Sequence, residues 1–284
     1  MRRYRVTNFE LDARATILTL EIGADWAPEV KTQFENSKQA VREGFLHEYG
    51  VSRSVEKLRN VVDLGAAPLS IIAYHNRFLA QVRASFVACA YYPALTGSCA
   101  LGERLLNHLV IDLRGFFRSS PEYRKVYRKS SFDNWDLAIS ALEAWKILVR
   151  EVPTLFRTLS ELRNRSVHFT PGLEAEDRAQ ALSAIRTLSE IIQRQFGSFG
   201  THPWFIPDIP GAAFISKAWE DKPFIRTVYI PNCVPVSPFH KMEHTPAGWR
   251  VIEPREVPDR DVSDDEFREL LATAHGRGHD GDGA

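Results

Sequence analysis

Between residues 67 and 197 apolar side chains recur at helical spacing, and prolines cut the pattern into helix-length pieces. After Pro93, the positions Leu95, Cys99, Leu106, Leu109, Val110, Leu113 and Phe117 fall on one helical stripe. After Pro153, Leu155, Leu159, Leu162, Ser166 and Phe169 do the same, and after Pro171 so do Leu182, Ile185, Ser189, Ile192 and Phe196. Before Pro93, Ile72, Leu79 and Phe86 repeat every seven residues. Pro68, Pro93, Pro121, Pro153 and Pro171 stand where helices start and stop. With Asp133–Arg150 added, the pattern predicts about four or five helices of a length that suits an antiparallel bundle.

The flanks read differently. Residues 1–62 open with two short β-prone stretches, Tyr4–Phe9 and Thr16–Ile22, which predict a hairpin, followed over 28–62 by one or two polar helices. Residues 198–252 hold eight of the sixteen prolines and β-prone runs such as PFIRTVYI, so strands and loops are expected there. Residues 253–284 carry ten acids and four arginines, a charge of −6 that leaves +6 on residues 1–252. Within this acidic tail Ser263-Asp-Asp-Glu266 is a capping box opening a short amphipathic helix with Phe267, Leu270 and Leu271. That helix could dock on a basic surface or a partner; a frayed, flexible tail is the plainer expectation. The fold class is mainly α: a helical bundle over 67–197, an N-terminal hairpin and helical segment, and an irregular, partly β C-terminal extension.

Composition excludes several classes. Hydrophobic residues at 44% and charged residues at 25% are incompatible with a disordered or fibrous chain. No run approaches the roughly 20 apolar residues that span a bilayer. The opening MRRYRVTNFELDAR lacks the apolar core of a signal peptide. A cytoplasmic protein with no membrane partner is the expectation. Cys89, Cys99 and Cys233 form no CxxC pair and no zinc spacing, and read as small core residues, with a reactive thiol as the alternative. Neither a metal nor another cofactor is implied. Arg outnumbers Lys 27 to 9, which supplies bidentate phosphate binders wherever a site needs them.

One segment concentrates chemistry: Glu161-Leu-Arg-Asn-Arg-Ser-Val-His168-Phe-Thr-Pro171. The core stripe centres on Leu159, Leu162 and Ser166. Asn164 and His168, four apart, share the polar face, and Arg163 flanks the core edge. Pro171 and Gly172 then stop the helix. An imidazole, an amide and a guanidinium at a helix end suit a phosphodiester, because His moves protons near neutral pH and Arg neutralises a phosphorane. An Arg–His spacing is weak by itself: about 2.6 such pairs arise by chance in this composition. Three occur, Arg42–His47, Arg163–His168 and Arg268–His275. Asn directly after the Arg, a helix before, a proline stop and a further helix set the second of these apart.

The segment resembles the RNxxxH (more loosely Rx4–6H) motif of the HEPN superfamily, compact helical bundles of which many are metal-independent endoribonucleases of toxin and antiviral systems. The resemblance covers residues 67–197 and leaves both flanks unassigned. It implies a homodimer with two motifs facing across a two-fold axis, RNA as substrate, and a possible regulatory or antitoxin partner. Arg163, Asn164 and His168 would be catalytic, giving 2′,3′-cyclic phosphate and 5′-OH ends. Glu103 lies about 60° from the centre of its helix's apolar stripe, where a half-buried carboxylate needs a cation or several donors. The family commonly sets an acidic or polar residue on an earlier helix against the motif, so the resemblance implies Glu103 as the partner of Arg163. A boundary salt bridge to another Arg is the other reading.

The connector Arg114–Lys129 carries Arg114, Arg118, Arg124, Lys125, Arg128 and Lys129 interleaved with Tyr123 and Tyr127. That mixture suits single-stranded RNA, and equally an ordinary solvated surface. His75 and His108 read as mid-helix structural or surface singletons; His202, His240 and His244 lie in proline-rich loops. Two rivals to the nuclease stay open. One is a non-catalytic HEPN-like module that binds RNA, nucleotide or a partner. The other is a structural regulator that docks a partner through residues 198–252.

Overall fold

Twenty-three residues, Tyr91–Leu113, form the longest helix among the described residues of the computed structural model, and they are apolar on more than one side. The description covers residues 1–7, 12–72, 75–167, 176–245 and 248–276. Two compact units divide the chain, Glu10–Phe196 and a second made from Met1–Phe9 with Gly197–Ala284. Among the described residues no helix is long and apolar enough to cross a membrane.

In the helical unit the order is α1 (Arg14–Thr19), α2 (Pro28–Tyr49), α3 (Ser54–Leu64), α4 (His75–Val87), α5 (Tyr91–Leu113), α6 (Tyr123–Val126), α7 (Trp135–Ala144), α8 (Val152–Val167) and α9 (Asp177–Phe196). Helix α5 is the centre, packing on α4, α7, α8 and α9. That demand explains why Ala94, Leu95, Cys99, Leu101, Leu105, Leu106, Leu109 and Leu113 are all buried, too many for one stripe. A Cβ on Gly102 would stand 2.4 Å from Leu159 Cδ2 and 3.2 Å from the Trp135 ring. Only glycine lets α8 approach α5 so closely, and Glu103 is its neighbour. Two buried amides tie elements together: Gln195 of α9 accepts from Val149 N (3.0 Å) and donates to Ile147 O (3.1 Å), fixing the turn between α7 and α8. Asn60 of α3 donates to Phe86 O (2.9 Å) and accepts from Arg178 Nε (3.0 Å), joining α3 to α4 and α9.

These links carry the helical unit beyond 67–197. Helices α2 and α3 are both formed, and Val61 and Leu64 are buried. The stripe of α9 turns slightly from its predicted axis, onto Ala181, Ala184, Ile185, Leu188, Ile191 and Ile192; Leu182 and Ser189 are only half-buried. Ile72 is buried but precedes α4. Cys89 lies in the turn between α4 and α5 with φ +63°, and not within a helix.

The second unit is assembled from both ends of the chain. Strand β1 (Arg3–Val6) pairs antiparallel with β2 (Cys233–Val236), in register from Arg3 opposite Val236 to Val6 opposite Cys233. On its other edge Ile215 N donates to Tyr4 O (2.8 Å) and Val6 N to Ala213 O (2.9 Å). A hairpin of β3 (Lys241–Thr245) and β4 (Gly248–Ile252) precedes α10 (Asp264–Gly276). Ile206, Phe214, Val236, Val262, Phe267 and Leu271 form one core. Asp264 ties two segments to α10, accepting from Arg3 Nε (3.0 Å) on β1 and from Ser216 Oγ (2.7 Å) and Lys217 N (3.2 Å).

Three expectations are corrected here. The predicted N-terminal hairpin is absent: Tyr4 pairs with residues 233–236, and Thr16–Thr19 belong to α1, where Arg14 meets Asp12 and Glu48. Strand propensity marks a segment as pairable without choosing its partner. PFIRTVYI is no strand either, since Ile225–Tyr229 form a π-helical turn. Phe224 and Tyr229, five apart, thereby reach one aromatic cluster with Trp204, and Ile225 is buried beside them in sequence. Finally, residues 264–276 are helical and anchored rather than frayed. Ser263 Oγ accepts from Glu266 N (3.1 Å), and Phe267 is wholly buried. Residues 277–284 lie outside the description.

Candidate functional site

The close approach enforced at Gly102 sets Glu103 of α5 against the last turns of α8. Glu103 Oε2 stands 3.0 Å from Arg163 Nε and accepts from Trp135 Nε1 at 3.3 Å. Both side chains of the ion pair keep about a quarter of their surface exposed (27% for Arg163, 26% for Glu103). Neither charge bears the full desolvation of a core pair, and neither is as screened as a surface pair. The pair approaches most closely through Arg163 Nε, and no hydrogen bond from Nη1 or Nη2 occurs among the described residues. Asn164 is exposed next to it, and Ser166 is buried, its Oγ donating to Arg163 O (2.9 Å). Helix α8 is described as far as Val167, and His168 lies outside the described residues.

Behind the pair sits Cys99, one turn before Glu103. Burial pushes its thiol up to about 11, with Ser166 and the Arg163 charge pulling the other way. Cys233 is likewise pushed up, to about 12, by burial. Both are protonated at neutral pH and neither is primed as a nucleophile; only Cys99 is a buried core residue, Cys89 and Cys233 being half-buried.

The basic connector divides in two. Arg114 is committed inward, its Nη1 donating to the carbonyls of Val126 (2.9 Å) and Lys129 (2.7 Å) and closing the connector on itself. Arg118, Arg124, Lys125, Arg128 and Lys129 are exposed and make no ion pair among the described residues. Tyr123 and Tyr127 stack with ring centroids 5.5 Å apart, and Arg128 lies 5.1 Å over the Tyr127 ring. The sequence reading of Arg114 as a ligand-facing cation is therefore replaced by a clasp.

Sequence reasoning missed several groupings. Trp135 orients Glu103, and only the distant pairing of α5 with α7 could reveal it. His75 opens α4 and His108 sits on α5, yet their rings meet at 5.0 Å, so they are a pair and not singletons. Burial, then the His108 charge, lowers the pKa of His75. His202 stacks on Trp204 at 4.8 Å, and burial lowers its pKa. His240 is buried. Among the described residues no three His, Cys, Asp or Glu side chains gather as a metal-ligating group.

Comparison with known proteins adds no name to this geometry: no family model, no curated protein and no solved structure matches the chain.

Proposed function

We propose that the chain is a metal-independent endoribonuclease of the HEPN kind, acting as a homodimer in a toxin or antiviral setting. The observation that carries the reading is the ion pair between Arg163 and Glu103 at the end of α8, with Asn164 exposed alongside. Glu103 holds the guanidinium by Nε and leaves the two terminal nitrogens for a phosphate, which a planar fork binds bidentately.

In the proposed reaction the ribose 2′-oxygen attacks the adjacent phosphorus and His168 takes its proton. The P–O5′ bond then breaks, and the departing 5′-oxygen is protonated to a hydroxyl. Arg163 stabilises the pentacoordinate phosphorane, and Asn164 orients His168 or a phosphate oxygen. The exposed cations and stacked tyrosines of the connector would track the RNA backbone and bases.

The same ion pair also favours a second reading, a non-catalytic bundle that binds RNA, nucleotide or a partner, because an Arg already held by a carboxylate serves equally well to fasten α8 to α5. The two separate on one comparison. His168→Ala should abolish RNA cleavage in EDTA while RNA binding, followed by a gel shift, is retained. Wild-type protein that binds RNA and never cuts it favours the module.

A further inference from the structure

The unit built from the chain ends encloses a cavity of about 430 Å³ whose chemistry is unlike that of the helical unit. Its walls are mostly apolar: Phe214 and Leu271 from the core, Ala272 of α10, and the Ile209–Ala212 loop. Asp208 and Gly211 of that loop take φ values of +59° and +72°, and Pro207 and Pro210 fix its remaining freedom, so the wall is formed in advance. Three charged residues join the lining, Arg5 on β1, Asp208 and Arg268, and among the described residues Arg5 makes no ion pair.

Arg5 Nη1 donates to His240 Nε2 at 2.5 Å. His240 Nδ1 lies 2.6 Å from Ser237 O and donates to it, which makes Nε2 the lone-pair nitrogen that receives Arg5. The neighbour of the guanidinium is thus a neutral ring, and Phe214 lies beneath it at 5.8 Å. Arg268, the other cation of the lining, is already satisfied by Asp265 (2.9 Å) and faces Asp208 at 4.0 Å. Among the described residues no carboxylate or carbonyl meets Arg5 Nε or Nη2. Those two N–H groups point the same way and form the fork edge that receives two oxygens of one anion. A partly buried charge with no counter-ion among the described residues is costly, and in agreement burial lowers the Arg5 pKa.

We propose that this cavity is a binding site for a small organic carboxylate with an apolar body, its head on the Nε/Nη2 edge of Arg5 and its body against Phe214, Ile209 and Leu271. The neutral Arg5–His240 contact fixes the guanidinium plane, and the apolar lining discriminates against free inorganic anions. The site owes nothing to the ribonuclease reading and would supply the chain with a small-molecule input.

Calorimetric titration of the full chain with 4-phenylbutyrate tests it, beside 4-phenylbutanol, phenyl phosphate and inorganic phosphate. The acid should bind one-to-one and at least tenfold more tightly than the alcohol. Arg5→Gln should reduce the affinity at least tenfold. Ala272→Trp, at an exposed position on the rim, should block binding with β1 and its partners untouched, so a misfolded Arg5 variant would not leave the matter open. No heat with any probe, equal affinity for acid and alcohol, or unchanged binding by the Ala272→Trp protein overturns the site. Tighter binding of phenyl phosphate or inorganic phosphate than of the acid overturns the carboxylate assignment.

Discussion

The helical unit and the terminal unit are held together on different scales of sequence. In the first, many packed helices are neighbours in the chain, as α4 with α5 and α8 with α9 are, and the return of α9 onto α5 stays within the same unit. In the second, a strand at residues 3–6 is completed by residues 213–215 and 233–236 and tied to Asp264. Local contacts form at small loop-closure cost, whereas joining the chain ends must overcome the entropy of a long closure. The helical unit should therefore be robust to single defects, and the terminal unit should depend on a few long-range contacts.

The largest test of that contrast is Phe267→Ala. Removing a wholly buried ring from the terminal core should cost about 3–5 kcal/mol. Hydrogen exchange should show protection lost in β1, β2 and α10 while α5 and α9 keep theirs. Equal loss in α5 and α9 would mean one cooperative core and would break the comparison. Gly102→Ala comes next, at about 1–3 kcal/mol from overpacking against Leu159 and Trp135, read by thermal melting. In contrast to Phe267→Ala, its effect should appear in α5 and α8. Glu103→Gln follows at about 1–2 kcal/mol, because it leaves Arg163 with a neutral partner. If the Glu103 carboxylate serves catalysis through Arg163, cleavage should fall further than this loss of stability explains.

Two titrations give smaller effects. The Arg53 guanidinium, then the Tyr91 hydroxyl, hold Glu56 down to about 2 against an ordinary 4.5. A depressed carboxylate contributes stability above 4.5 that disappears as pH falls towards 2, so Glu56→Gln should flatten the acid limb of the melting profile in that window. The Cys99 thiol is shifted the opposite way, from 9.0 to about 11. The unfolded chain loses that proton first, so stability should decline between pH 9 and 11, and less so in Cys99→Ala. Native protein at pH 8 should resist iodoacetamide at Cys99, with labelling appearing on unfolding.

The legibility of the fold follows the same contrast. The stripe Leu95, Cys99, Leu106, Leu109, Val110 and Leu113 is buried as its spacing predicts, because a helix displays its pattern within itself; its last member, Phe117, falls in the turn after α5 and is half-buried. Tyr4–Phe9 shows a strand's propensity, but the partner of its part Tyr4–Val6 lies more than 200 residues away, where no local pattern reaches. PFIRTVYI misleads for a related reason: β-branched and aromatic residues also suit a π turn that buries Phe224, Ile225 and Tyr229 together. At the candidate site Arg163 and Glu103 were each visible as core-edge groups. The support from Trp135, and the Arg5–His240 contact, depend on segments brought together only by folding.

The most direct measurement of the central claim is the chemistry of the RNA ends. Wild-type, Arg163→Ala and His168→Ala proteins would be incubated with total RNA in EDTA, and the fragments mapped for 2′,3′-cyclic phosphate and 5′-hydroxyl termini. The account predicts those termini with wild-type protein and intact RNA with both variants. Intact RNA with the wild-type protein, or cleavage that survives both substitutions, would contradict it.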